Sequence, residues 1–149
     1  MAKFIYRMQS ILDVKLKMEE QARMEFATAR MRLDEEEEKL NVLIQRKADY
    51  EEQGRELRKN ALNVFDILEN KQALERMDEL ILIQKDAVLK AERLLDEARM
   101  KLQVAMQESK TQEKLKEKAF EEFVRELNAQ EAKEVDELTS YTYGQKKAE

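Results

Sequence analysis

Residues 58–70, RKNALNVFDILEN, form the stretch near the middle of the chain that most opposes one continuous helix. Asn60 and Asn63 are closely spaced there, and asparagine has a low helix propensity. Asn63 suits an N-cap, because its side-chain oxygen can accept a hydrogen bond from the N–H of the third helical residue, the acidic Asp66. Asn60 can adopt the left-handed conformation that ends the preceding helix. The stretch therefore predicts a corner at about residues 60–63.

The composition predicts that this corner joins two long helices. The 149 residues include no proline and only two glycines, whereas 41% of them are charged. This composition is typical of coiled coils, and two glycines cannot serve the several turns of a globular domain. Gly54 is the rival helix breaker, but the apolar pattern continues beyond it at Leu57. We therefore expect an all-α fold.

Apolar residues on both sides of the corner recur at alternating spacings of three and four, the pattern of a coiled-coil seam. The first seam contains Phe4, Met8, Ile11, Met18, Ala22, Phe26, Ala29, Leu33, Glu36, Leu40, Leu43, Lys47, Tyr50, Gly54 and Leu57. The second contains Met77, Ile81, Gln84, Val88, Ala91, Leu95, Ala98, Leu102, Ala105, Ser109, Gln112, Leu115, Ala119, Phe123 and Leu127. Polar members such as Glu36 and Lys47 weaken the seams locally.

A short connection between two long helices favours a long antiparallel coiled-coil hairpin, which we expect to form a single domain. Helix one is predicted at about residues 3–59 and helix two at about residues 63–140, followed by a flexible tail at 141–149. At 1.5 Å per residue, helix two would be roughly 115 Å long. A corner near residue 61 would place Phe4 opposite Lys118.

That register predicts that the end of helix two extends past its partner helix. The apolar side chains left without an intramolecular partner would be Phe123, Val124, Leu127, Val135 and Leu138. An exposed apolar stripe bordered by charge usually marks an interaction surface, so we expect another protein to cover it. The alternative is that helix one begins deeper in the bundle, or that the chain end frays.

No constellation in the sequence predicts an enzyme, a metal site or a bound cofactor. The carboxylates of DEEEE at residues 34–38 point around a helix rather than towards one point, and the chain has no histidine or cysteine. Asp136 and Glu137 could suggest acid–base catalysis, but a two-helix rod forms no pocket around them. Phosphate-binding glycine loops are absent, and no basic patch interleaved with aromatics predicts nucleic-acid binding. No signal peptide and no membrane-spanning run is recognisable, so we expect a soluble, cytoplasmic protein.

Three segments resemble the flagellar export protein FliJ family. They are FIYRMQSILDVKLKMEE at residues 4–20, EKLKEKAFEEF at residues 113–123, and an acidic pattern formed by Glu131, Glu134, Asp136 and Glu137. The resemblance implies a non-enzymatic component of flagellar type III protein export, and hence a role in flagellum biogenesis, motility and chemotaxis. It implies a fold like the two-helix stalk of the rotary ATPase gamma subunit.

The resemblance also implies the partners and their sites. The partners are the hexameric export ATPase, the cytoplasmic domain of the membrane-embedded export gate, and export chaperones, with the protein monomeric in isolation and held at the inner face of the membrane without inserting. The side chains for the ATPase ring are Lys3, Phe4, Arg7, Phe123, Val124 and Leu127. Those for the gate are Leu43, Tyr50, Met77 and Leu80. Arg46 and Ala73 depart from the aromatics that some members carry on the gate surface.

Two other interpretations remain open at this point. The first is the equivalent stalk protein of a virulence type III secretion system. The second is a generic structural coiled coil or a prefoldin-like chaperone hairpin, which should oligomerise by itself.

Overall fold

The structure, a computed structural model, describes the backbone of residues 2–148 and the side chains of residues 2–145. Two helices, α1 at Gln9–Leu57 and α2 at Val64–Ala148, pack against each other as an antiparallel hairpin. The described residues contain no strand. The predicted all-α coiled-coil hairpin is therefore confirmed. Neither described helix contains a segment long and apolar enough to cross a membrane.

The helix ends differ from the expected ones. Helix α1 begins at Gln9 rather than near residue 3, and residues 2–6 are not helical. Helix α2 continues through the predicted flexible tail as far as Ala148, and the last residue of that tail lies outside the described residues. Favourable helix formers such as Gln145 dominate the tail, and no proline interrupts it.

The corner at residues 58–63 is built largely as the sequence predicts. The side-chain oxygen of Asn63 accepts from the backbone N–H of Phe65 at 3.1 Å and of Asp66 at 3.4 Å, which is an N-cap. The left-handed conformation expected at Asn60 is wrong, because no described non-glycine residue has a positive φ. Helix α1 instead closes with a tighter last turn, in which the Arg58 N–H donates to Arg55 O at 3.2 Å.

Residues Gln21–Gln103 form one compact unit, called here the loop unit. Its core is a cluster of Leu33, Val88, Ala91 and Leu95, against which Phe26, Ala29 and Leu40 pack. Every residue predicted for the first seam from Ala22 to Leu57 is buried or half-buried, including Glu36 and Lys47. This part of the seam follows the 3–4 spacing of the sequence, as expected for a coiled coil.

Polar groups in the loop unit bond across the seam instead of interrupting it. Lys47 Nζ lies 2.7 Å from Asp78 Oδ1 on the other helix, and this hydrogen bond raises the pKa of Lys47. Asn70 is buried and donates its amide to Tyr50 O at 2.9 Å. Gly54 is buried beside Asn70. A Cβ at Gly54 would lie only 2.6 Å from Asn70 Oδ1. Gly54 thus permits a close helix contact and does not break helix α1.

The remaining residues, up to Glu20 and from Val104 onwards, form a second compact unit, called here the terminal unit. The upstream part of the predicted first seam is wrong here, because Met8, Ile11 and Met18 are exposed and Leu12 is buried instead. Alternating steps of three and four residues from Ala22 towards the N-terminus lead to Leu12 through two polar residues. Those residues are Glu19, which bonds to Ser109, and Lys15, which bonds to Glu108 at 3.0 Å.

Candidate functional site

The end of the terminal unit is held together by three aromatic rings. Phe4 lies edge-on to Phe120, with ring centroids 5.2 Å apart and planes at 75°. Phe4 also lies against Phe123 at a centroid distance of 5.4 Å. Edge-to-face contacts of this kind are favourable because the positive edge of one ring meets the negative face of the other. Phe4 thus attaches the N-terminal segment to helix α2 by contacting two rings of that helix.

The expectation that Phe123, Val124 and Leu127 lack an intramolecular partner is corrected by this contact. Phe4 covers Phe123, and Val124 and Leu127 are half-buried rather than free. The physical reason is the non-helical conformation of residues 2–6. An extended residue advances about 3.3 Å compared with about 1.5 Å in a helix, so Phe4 reaches past Lys118 along helix α2.

Beyond Leu127, the described part of helix α2 has no buried or half-buried side chain. Every described side chain at residues 128–145 is exposed. Val135 and Leu138, at 59% and 66% exposure, are the large aliphatic residues of this segment. Together with Thr139, Thr142 and Tyr143 they line a shallow depression of about 400 Å³. We call residues 128–145 the overhang, and its exposed aliphatic side chains, Val135 and Leu138, are two of the five residues expected to lack an intramolecular partner.

Charge around this end is distributed unevenly. Lys3 and Arg7 are exposed in the N-terminal segment. The exposed acids of the overhang are Glu131, Glu134, Asp136 and Glu137. Among the described residues, no group of three or more potential ligand side chains is placed to hold a metal ion. The end therefore exposes aliphatic side chains together with charge of both signs.

The four residues predicted for a gate surface all lie in the loop unit, with different exposure. Leu43, Tyr50 and Leu80 are half-buried, so each presents part of its side chain at the surface. Met77 is buried, so it presents little of its side chain at the surface. Leu43 also lines a surface groove of about 340 Å³ with Glu38, Lys39, Val42 and Gln84.

A family model described as Flagellar FliJ protein matches residues 4–148. The chain belongs to the FliJ family. The solved structure of a putative YscO homologue from Chlamydia trachomatis is similar, with a TM-score of 0.74, 23% sequence identity, and 99% of each chain covered. At that identity the likeness shows the shared fold alone. No curated protein matches the chain.

Membership of the FliJ family confirms the resemblance seen in residues 4–20 and 113–123. Both segments lie in the terminal unit, and the structure brings them into contact through Phe4 and Phe123. Family membership makes the protein a structural component of flagellar type III export, one that associates with other export components. The finer partner assignments do not follow from membership.

Phe120 is the residue of this site that the sequence-based set omitted. It contacts Phe4 more closely than Phe123 does, by ring-centroid distance. The signal was its spacing of three residues from Phe123, which places both rings on one helix face. Tyr6 is also packed into this end, and its buried hydroxyl has no hydrogen-bond partner among the described residues.

Proposed function

We propose that the protein is the stalk of the hexameric ATPase of flagellar export, and that its terminal unit docks in the ring and stimulates ATP hydrolysis. The observation that carries this proposal is the overhang. Residues 128–145 form a helix whose described side chains are all exposed, although Val135 and Leu138 are large and aliphatic. A stalk must present its end to the ring instead of packing it within its own chain.

Several features of the same end support a ring as the partner. The overhang has exposed apolar and acidic side chains around its circumference, which suits a helix contacted by several subunits at once. Lys3 and Arg7 would add cationic contacts at the other side of the end, where Phe4 fixes the N-terminal segment. Phe123, Val124 and Leu127, being half-buried, would contribute their remaining exposed surface.

The loop unit would contact the export gate. Leu43, Tyr50 and Leu80 present half-buried side chains there, and Met77 is buried. Export chaperones would bind the same protein, which acts as an adaptor, is not an enzyme, and works in the cytoplasm at the inner face of the membrane. Family membership and the partly exposed surface of the loop unit support these assignments.

The experiment that tests the ring assignment is site-specific photocrosslinking of the full chain. A benzoylphenylalanine in place of Leu138 should crosslink to a subunit of the export ATPase when both proteins are mixed with nucleotide. Leu82 is exposed in the loop unit and gives the matched control position. Crosslinking from both positions alike, or from neither, would contradict docking through the terminal unit and favour a generic coiled coil.

A further inference from the structure

The apolar residues of the loop unit do not by themselves fix the register, meaning the alignment of helix α1 along helix α2. A seam with an average spacing of 3.5 residues repeats after each heptad, so a shift by one heptad preserves its pattern. In a hairpin such a shift moves the corner by half a heptad. Asn60 lies three residues before the capping Asn63, so it could cap helix α2 after a shift in that direction. Other contacts must therefore select the register.

The ion pair between Lys47 and Asp78 distinguishes one register from its neighbours. Lys47 Nζ lies 2.7 Å from Asp78 Oδ1. One heptad to either side of Asp78, helix α2 carries a lysine, namely Lys71 and Lys85. Residues one heptad apart share a helix face, so a shift by one heptad in either direction would bring Lys47 towards a lysine. Each shift would thus exchange an attraction for a repulsion.

Buried Glu36 distinguishes the same register. The side-chain amide of Gln84 donates to the backbone carbonyl of Glu36 at 2.9 Å and to its carboxylate at 2.6 Å. The residues one heptad to either side of Gln84 are Met77 and Ala91, which are buried and carry no side-chain donor. A shift would therefore place the carboxylate beside apolar side chains, and a buried charge without hydrogen bonds is costly.

Buried Asn70 provides a third contact of this kind. Its amide donates to Tyr50 O at 2.9 Å. A Cβ at Gly54 would lie 2.6 Å from Asn70 Oδ1, so the glycine makes room for this amide. The residues one heptad to either side of Gly54 are Lys47 and Ala61, and both carry a Cβ. A shift in either direction would therefore bring a Cβ towards the buried amide.

We propose that Glu36, Lys47 and Asn70 are positioning residues that hold the loop unit in one register and thereby assemble its surface from two helices. The apolar seam supplies the contact between the helices, and these three polar residues select which residues of the two helices lie side by side. The loop unit is then a single rigid rod rather than a pair of helices that slide past each other.

The surface that would depend on this register is the one assigned to the export gate, so the choice of partner rests on the proposed function. It combines residues of both helices: Leu43 and Tyr50 from helix α1, and Met77 and Leu80 from helix α2. Lys47 falls between the first two in sequence, and Asp78 falls between the other two. A shift by one heptad would displace the two halves of this surface by about 10 Å.

A distance between two spin labels measures the register, because the chain contains no cysteine and labels can be placed freely. Met31→Cys and Leu82→Cys place them at exposed positions on helices α1 and α2 of the loop unit. Leu82 lies opposite a part of helix α1 that is closer to the corner than Met31, since Gln84 contacts Glu36. A shift of helix α1 towards the corner therefore shortens the distance between the labels, and a shift away from the corner lengthens it.

Two relocations of one acid predict shifts in opposite directions. An exposed ion pair contributes little by itself, so both are made in a chain that also carries Glu36→Leu and Asn70→Ala. Lys71→Asp with Asp78→Lys moves the acid towards the corner and should shorten the label distance. Asp78→Lys with Lys85→Asp moves the acid away from the corner and should lengthen it. The same distance in both variants would overturn the proposal.

The same relocations with Glu36 and Asn70 in place test the buried contacts. The label distance should stay at its wild-type value while the melting temperature falls, because the buried contacts then oppose the relocated charges. A changed distance would show that the buried contacts do not hold the register. Glu37→Leu with Gln72→Ala, at exposed positions, is the matched control and should leave both the distance and the melting temperature unchanged.

Binding to the cytoplasmic domain of the export gate separates the register from the proposed function. Variants with a shifted label distance should keep the helical content of the wild type by circular dichroism and bind the gate domain about tenfold more weakly or less. Binding at wild-type strength by a shifted variant would overturn the positioning role. If the wild type itself did not bind, the gate assignment would be refuted, whereas the label distances would still decide the register.

Discussion

The side-chain amide of Gln84 donates two hydrogen bonds to Glu36 across the seam of the loop unit. One reaches the carboxylate Oε2 at 2.6 Å and the other reaches the backbone carbonyl at 2.9 Å. Lys39 and Arg32 on the same helix lie 3.5 Å and 3.3 Å from the other carboxylate oxygen. A charged residue thus occupies a buried seam position because donors from both helices surround it.

These contacts predict how stability depends on pH. The hydrogen bond from Gln84 is the largest cause that lowers the pKa of Glu36 below its usual 4.5, with help from Lys39 and Arg32 and against the opposing effect of desolvation. The stabilisation from the charged form is therefore complete above pH 4.5 and is lost as the pH falls from there through the lowered pKa. The melting-temperature difference between wild type and Glu36→Gln should narrow over that acidic range. A melting-temperature difference that stays constant down to the lowest pH would contradict this prediction. Glu37→Gln, at an exposed site, is the control.

Gly54→Ala should destabilise the protein, although glycine to alanine usually stabilises a helix interior. The new Cβ would lie 2.6 Å from Asn70 Oδ1, so Asn70 would have to move and weaken its hydrogen bond to Tyr50 O. We expect a loss of about 1–3 kcal/mol in the free energy of unfolding, measured by urea denaturation. In a chain that already carries Asn70→Ala, Gly54→Ala should lower the free energy of unfolding by less than it does in the wild type.

The other glycine supplies the matched control. A Cβ at Gly144 would meet no atom within 4 Å, so Gly144→Ala should be neutral or slightly stabilising. If both glycine variants changed stability alike, the close approach of Asn70 to helix α1 would be contradicted.

Phe4→Ala should loosen the N-terminal segment. The change removes the contacts with Phe120 and Phe123, and we expect the free energy of unfolding to fall by about 1–2 kcal/mol. Ile5 is the neighbouring control, because it is highly exposed and Ile5→Ala should change stability by less than about 0.5 kcal/mol. Equal effects at both positions would show that Phe4 does not anchor the segment.

Much of the fold follows from sequence spacing alone. The seam from Ala22 to Leu57 was predictable because its steps of three and four continue through Glu36 and Lys47, whose partners lie on the other helix. The N-cap at Asn63 was predictable because a capping side chain acts on N–H groups two and three residues away. The cap depends on local geometry, and this part of the seam keeps its apolar spacing on both sides of each charged member.

Features that depend on the opposite helix were predicted less well. On the N-terminal side of Ala22, the seam was predicted to pass through the apolar residues Met18 and Ile11. In the structure it passes through Lys15 and Glu19, because these polar residues bond to partners in helix α2. The reach of Phe4 depends on where helix α1 begins, and no capping residue marks that point. The overhang therefore begins further along helix α2 than the predicted register gave.

The central claim is that the overhang binds the export ATPase and contributes little to the fold. The direct measurement is ATP hydrolysis by the export ATPase together with thermal unfolding, both on the variant Val135→Ser with Leu138→Ser. Because both side chains are exposed, the melting temperature should stay at the wild-type value while stimulation of hydrolysis is lost. Met24→Ser with Met31→Ser, at similarly exposed positions of the loop unit, should retain both properties. A lowered melting temperature with intact stimulation in the Val135 and Leu138 variant would contradict the account.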